Sequence, residues 1–91
     1  MSAENDETEI RKRRAIYRAN HRGTKEMDLI VGKYSTELIP GMSEDELTEI
    51  EEFLGLPDRD LEAWIMRKEF EADNDYTDLI AKIREFHGLV N

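Results

Sequence analysis

The chain contains no cysteine, which excludes disulfides, thiolate metal sites and thiol nucleophiles together, and leaves packing to hold the fold in a reduced compartment. No apolar run approaches the roughly 20 residues that cross a bilayer, so a membrane-inserted helix is not expected. A targeting leader is not expected either: residues 1–9 carry four acids and no base, unlike a secretory or mitochondrial signal, and a bacterial cytoplasmic location is expected. Histidine occurs twice, as His21 and His87, in no pairing that could hold a metal. The carboxylates at 44–46 and 69–75 lack the alternating oxygen pattern of a calcium loop. There is no glycine-rich phosphate loop, no dinucleotide-binding glycine pattern and no serine or threonine in a nucleophile's context. Catalytic residues, a metal and a stably bound cofactor are therefore not expected.

At 91 residues there is room for one domain and one modest core, because so short a chain buries only around 60% of its unfolded surface. The net charge of −9 argues against nucleic-acid binding, which needs counterion release by clustered cations. That charge is unevenly spread. Between Ile10 and Lys25 there are seven bases and no acid, whereas the chain beyond carries eighteen acids and six bases. Two accounts stay open: the basic end folds back on the acidic body, or it steers an acidic partner surface.

Helical periodicity runs through five segments separated by glycine and proline, and no strand candidate appears. The first, about Asp6 to His21, has a thin apolar set of Ile10, Ile16, Tyr17 and Ala19. Its arginines at 11, 14, 18 and 22 form one exposed stripe if the helix reaches Arg22. The second, about Thr24 to Leu38, puts Met27, Ile30, Val31, Tyr34 and Leu38 on one core-facing side. Gly23 between them predicts an αα-hairpin with its tip at 21–24. After Pro40-Gly41, Ser43 and Glu46 form a capping box ahead of Leu47, Ile50, Phe53 and Leu54, with Gly55 as the stop. Pro57-Asp58 opens a fourth helix with Leu61, Trp64 and Ile65 inward. Residues 69–75 read as a linker, and Asp75 or Thr77 as the cap of a fifth helix closed by Gly88. The expected fold is all-α, a compact five-helix bundle over residues 10–91, preceded by an acidic, flexible extension at 1–9.

One constellation stands apart, His21-Arg22-Gly23-Thr24-Lys25-Glu26 with Asp28 close behind. As structure, Arg22 and Glu26 at i and i+4 make an exposed pair worth a few tenths of a kcal/mol. As function, the bare backbone of Gly23 lets a partner approach closely, with Arg22 as a planar donor fork and Glu26 as an acceptor beside it.

Arg22, Gly23 and Glu26 match the Arg-Gly-x-x-Glu hallmark of the FAD assembly factors of succinate dehydrogenase, and the chain resembles that family. The basic helix with Tyr17 before the motif, the Asp28-Leu29-Ile30 run after it, and the stretch from Leu56 to Trp64 extend the resemblance over about Ile10 to Leu89. The resemblance implies a five-helix, non-enzymatic chaperone; a monomer when free is expected, with self-association left open. It implies binding to the flavoprotein subunit of succinate dehydrogenase, or that of fumarate reductase. Covalent attachment of FAD to a histidine of that subunit would be promoted, while the FAD remains the partner's. Arg22, Gly23 and Glu26 are then expected at the interface, with His21, Lys25, Asp28, Arg18 and Tyr17 around them. Two alternatives are kept: a helical adaptor for an unrelated protein using the same helix and turn, and a small enzyme using Glu26 with His21.

Overall fold

The computed structural model describes residues 3–66 and 75–89. Among these, five α-helices succeed one another: α1 (Ala3–Asn20), α2 (Lys25–Leu38), α3 (Glu44–Leu54), α4 (Asp58–Met66) and α5 (Thr77–Phe86), with a 3-10 turn at Ile39–Gly41. The all-α five-helix expectation holds. The linker read at 69–75 lies, apart from Asp75, outside the described residues.

α1 begins at Ala3, earlier than the expected start near Asp6, so residues 3–9 share one helix with the basic turns that follow. Acids toward a helix's N-terminus and bases toward its C-terminus both suit the macrodipole, which favours running the two charge blocks together. The helix buries little: Ala15 and Ala19 are inside, Ile16 is half-buried, and Ile10 and Tyr17 face solvent. Small residues permit close approach instead. α1 packs chiefly on α2, and a Cβ built on Gly32 of α2 would overlap the side-chain oxygen of Asn20, with Asn20 Cγ at 2.9 Å and the Ala19 carbonyl oxygen at 3.2 Å. Asn20 is pinned there by donating from Nδ2 to the Ile16 carbonyl (2.8 Å) and to Thr36 Oγ1 (3.1 Å).

Nothing local in the sequence marks Gly32 as a packing site, and it supplies a test of decisive sign. Helix propensity alone would make Gly32→Val stabilising by a few tenths of a kcal/mol. Because the added atoms meet a fixed neighbour and a backbone carbonyl, a net loss of about 2 kcal/mol is expected, seen as a fall in melting temperature on the order of 10 °C. A rise in melting temperature would show that the hairpin is not packed this closely.

The core-facing side of α2 is as expected for Met27, Ile30, Val31 and Tyr34, all buried. Leu38 instead stays 38% exposed, because the chain turns at that point and the fully buried Ile39 takes the inward place. The capping box forms: Ser43 Oγ accepts from the Glu46 amide (3.2 Å) and Glu46 Oε1 accepts from the Ser43 amide (2.9 Å). The Ser43 backbone and side chain hold the Glu46 carboxyl below its ordinary pKa. Leu47, Ile50, Phe53 and Leu54 of α3 fill the centre of the core with Leu61 and Ile65 of α4 and Leu79, Ile80 and Ile83 of α5. Trp64 packs against this core half-buried, at its margin and not inside it.

Of two helix ends, that of α3 is as expected and the start of α5 is not. Gly55 does end α3, but with a right-handed backbone, φ −82°, so no left-handed cap is involved. Neither Asp75 nor Thr77 is the N-cap of α5; Tyr76 occupies that place without a side-chain cap bond. Its ring lies edge-on to Phe53, centroids 5.6 Å apart, so packing on the core fixes where the helix starts. At the other end Gly88, φ 72°, lets the Leu89 amide reach back to the Arg84 carbonyl at 2.7 Å.

Candidate functional site

The corner joining α1 to α2 is built from a few local bonds. α1 stops at Asn20, two residues short of Arg22. His21 folds back on the helix it leaves: its ring stacks on Tyr17, centroids 3.9 Å apart and planes 19° from parallel. Its Nδ1–H donates to the Tyr17 carbonyl at 2.8 Å, satisfying one of the acceptors that a helix end leaves open. Gly23 has φ 115°, a conformation that side chains of the L series rarely adopt, and the nearest atom to a Cβ built there is Asp58 Oδ2 at 4.0 Å. Space is available at this position; backbone freedom is what demands glycine. Thr24 then caps α2, its Oγ1 accepting from the Met27 amide at 3.2 Å. Asp28, in the first turn of α2, accepts from the backbone amide of Arg22 and so closes the corner on itself.

The Arg22 side chain runs the opposite way from the expected surface stripe. Nε donates to Asp58 Oδ1 at 2.7 Å, Nη1 to the Leu54 carbonyl at 2.6 Å and Nη2 to the Leu56 carbonyl at 3.0 Å. Only 9% of the side chain is exposed. A guanidinium at the negative end of α3 and an acid at the positive end of α4 each sit where the dipoles favour them. Arg22 therefore ties the corner to the α3–α4 turn, and the i, i+4 pair with Glu26 is not what its fork makes. The sequence held only a faint signal of this: Asp58 reads as an acid suited to a helix start, and its partner is 36 residues away.

Arg11 is also turned inward, donating to Glu51 Oε1 at 2.6 Å, to Glu44 Oε1 at 2.9 Å and to Thr48 Oγ1 at 3.2 Å. The Glu51 hydrogen bond is the main reason its guanidinium is held above its ordinary pKa. Lys12 donates to the Pro40 carbonyl at 2.9 Å. The continuous stripe at 11, 14, 18 and 22 is thus broken at both ends, and part of the basic segment does fold back on the acidic body. Arg13, Arg14, Arg18 and Lys25 stay exposed.

What the corner presents to solvent is a different set. Tyr17 is 64% exposed, and His21, Gly23, Thr24, Lys25 and Glu26 are exposed beside it. Among the described residues the Glu26 carboxylate has no hydrogen-bond or ion-pair partner. Leu29, one helical turn on and 62% exposed, belongs in the sequence to an apolar run; in the structure it lies in an open groove of about 600 Å³ together with Lys25, Asp28, Lys33 and Thr36. A carboxylate, an aromatic pair, a leucine and the cations Arg18 and Lys25 on one corner suit recognition of a protein surface. Among the described residues no group of three His, Cys, Asp or Glu could hold a metal ion, and no helix is long and apolar enough to cross a membrane.

Residues 13–87 match the model of a family described as the flavinator of succinate dehydrogenase. This chain belongs to that family. The flavinator match includes the whole corner, α2 to α5 and the second half of α1, and leaves residues 1–12 outside it. Relatives within reach include the FAD assembly factor SdhE of Acetobacter pasteurianus, 40% identical over 60 residues, which are 66% of this chain and 55% of that protein. The mitochondrial succinate dehydrogenase assembly factor 2 of Yarrowia lipolytica is 33% identical over 70% of this chain and 44% of its own length. Its counterpart in Dictyostelium discoideum is 29% identical over 96% of this chain and 61% of its own length. The chain thus spans roughly half the length of these flavinator relatives. No solved structure matches it.

Proposed function

We propose that this chain binds the flavoprotein subunit of succinate dehydrogenase through the 17–29 corner and promotes covalent attachment of FAD to a histidine of that subunit. The single observation that carries the reading is the exposed Glu26, without a hydrogen-bond or ion-pair partner among the described residues, beside the positive-φ Gly23 in a chain of the flavinator family. A carboxylate left without a partner among the described residues, on a corner fixed by local hydrogen bonds, is pre-organised for an external one, and pre-organisation lowers the entropic cost of docking. His21, Lys25, Arg18 and Tyr17 surround it as further contacts, while Arg22 and Asp28 give the corner its shape.

The chain acts without catalytic residues of its own. The enzyme alternative asks Glu26 and His21 to work as an acid–base pair, yet Nδ1 of His21 is engaged with the Tyr17 carbonyl and its ring is covered on one face by Tyr17. The bond-forming groups and the FAD belong to the flavoprotein. Holding its histidine and flavin in register is the contribution of the assembly factor, and orientation of that kind is worth up to ~7–11 kcal/mol of a barrier. A monomer in the bacterial cytoplasm, where flavoprotein subunits fold before assembly, suits this role. The flavoprotein of fumarate reductase is the second partner in the same class.

Co-expression with the succinate dehydrogenase flavoprotein, followed by flavin fluorescence of the denatured subunit in a gel, tests the proposal. At least about tenfold more covalent flavin than without the factor is expected, equivalent to ~1.4 kcal/mol of barrier. Equal covalent flavin with and without it would favour an adaptor for an unrelated protein.

A further inference from the structure

We infer that Arg22 is a positioning residue that acts through Asp58, their clamp on the α3–α4 turn holding the 21–26 corner in its docking shape and remaining closed when the partner binds. This rests on the docking reading above and assigns to Asp58 a part in it. Three nitrogens of the guanidinium are already engaged, with Nε and Nη2 both 2.7 Å from Asp58 Oδ1 and the Leu54 and Leu56 carbonyls taking the rest. Swinging Arg22 out to meet a partner would strand a half-buried carboxylate and two backbone carbonyls, each without its donor. Asp58 also lies directly beneath the corner, its Oδ2 4.0 Å from the Cβ position at Gly23. The clamp therefore lies under Gly23, the residue of this corner whose backbone is in the left-handed region. Glu26, Lys25 and His21 do the touching, and Arg22 fixes where they stand.

The two possible roles of Arg22 give opposite signs for one substitution. If Arg22 must leave Asp58 to touch the partner, Asp58→Asn loosens the hold and affinity is unchanged or tighter. If Arg22 positions the corner, Asp58→Asn weakens binding. The full chain is titrated into purified flavoprotein subunit carrying non-covalent FAD. Asp58→Asn is expected to raise Kd by about tenfold, and Asp60→Asn, which removes the same charge from the same helical turn, by less than about twofold. Arg22→Lys keeps a cation but cannot span three acceptors, and is expected to weaken binding as much as Asp58→Asn does. The double variant should be no more than about twofold weaker than either single one, because both open the same clamp. Asp58→Glu, which retains a carboxylate, should recover most of the affinity.

Amide exchange separates positioning from general loss of stability: in Asp58→Asn, amides 22–26 should exchange faster while those of Ile50 and Phe53 keep their protection. Unchanged or tighter binding of Asp58→Asn overturns the proposal, as does full additivity of the two variants, which would make Asp58 a direct contact. Loss of protection throughout α2 and α3 overturns it too. Failure of the wild-type chain to bind the flavoprotein at all would remove the docking reading itself, an outcome distinct from each of these.

Discussion

Gly23→Arg is expected to leave a folded helical protein that no longer binds the flavoprotein and no longer raises its covalent flavin content. Two separable effects act at this position. The first is internal: φ 115° is strained for any residue with a Cβ, at a cost of about 1–3 kcal/mol and a melting temperature lower by about 10 °C. The second is external. Among the described residues, chain neighbours aside, Asp58 Oδ2 at 4.0 Å is the nearest atom to the Cβ position, so the first atom of the new side chain is accommodated in the free protein and the rest adds bulk at the corner. At the centre of a docking surface this is expected to raise Kd more than about 100-fold, or ~2.7 kcal/mol. Gly23→Ala carries the same backbone strain with only a methyl group, so the difference in Kd between the two variants isolates the steric effect. Equal affinities for Gly23→Arg and Gly23→Ala would place the partner elsewhere.

Glu26→Gln is expected to do the reverse of an ordinary structural mutation, sparing the fold and damaging recognition. Glu26 is exposed in the first turn of α2, where its charge favours the helix by no more than a few tenths of a kcal/mol. The melting temperature should therefore move by only about 2 °C. Binding to the flavoprotein is expected to weaken at least about tenfold, because a carboxylate that meets a donor in a desolvated contact is replaced by a neutral amide of the same shape. The loss should shrink as salt is raised and screening weakens the wild-type contact. Unaltered Kd together with unaltered covalent flavin would take Glu26 out of the interface.

Much of the fold was legible because its rules are local. The spacing of Met27, Ile30, Val31 and Tyr34 marked the inward side of α2, Ser43 and Glu46 announced α3 three residues apart, and Gly23 placed the hairpin tip. What the sequence concealed was long-range. Glu26, four residues from Arg22, is the pairing that helix rules offer, whereas the acceptors that Arg22 uses lie 32 to 36 residues away. Gly32 reads as a weak spot in a helix until α1 is laid against it and the Asn20 side chain fills the space a Cβ would need. Tyr76 starts α5 because its ring finds Phe53, which no capping preference encodes. For the candidate site this meant that the segment was found but the roles within it were not sorted: the arginine points into the protein, and the glutamate, the glycine and the Tyr17–His21 pair point out.

Site-specific photo-crosslinking measures most directly whether this corner is the docking surface. A photoreactive residue in place of Lys25, on the corner, and in a second protein in place of Glu85, exposed on α5, would be irradiated with the flavoprotein subunit and the adducts mapped by mass spectrometry. An adduct from position 25 that maps to the flavoprotein beside its FAD, with none from position 85, is the expected result. Adducts from position 85 and none from position 25 would contradict it.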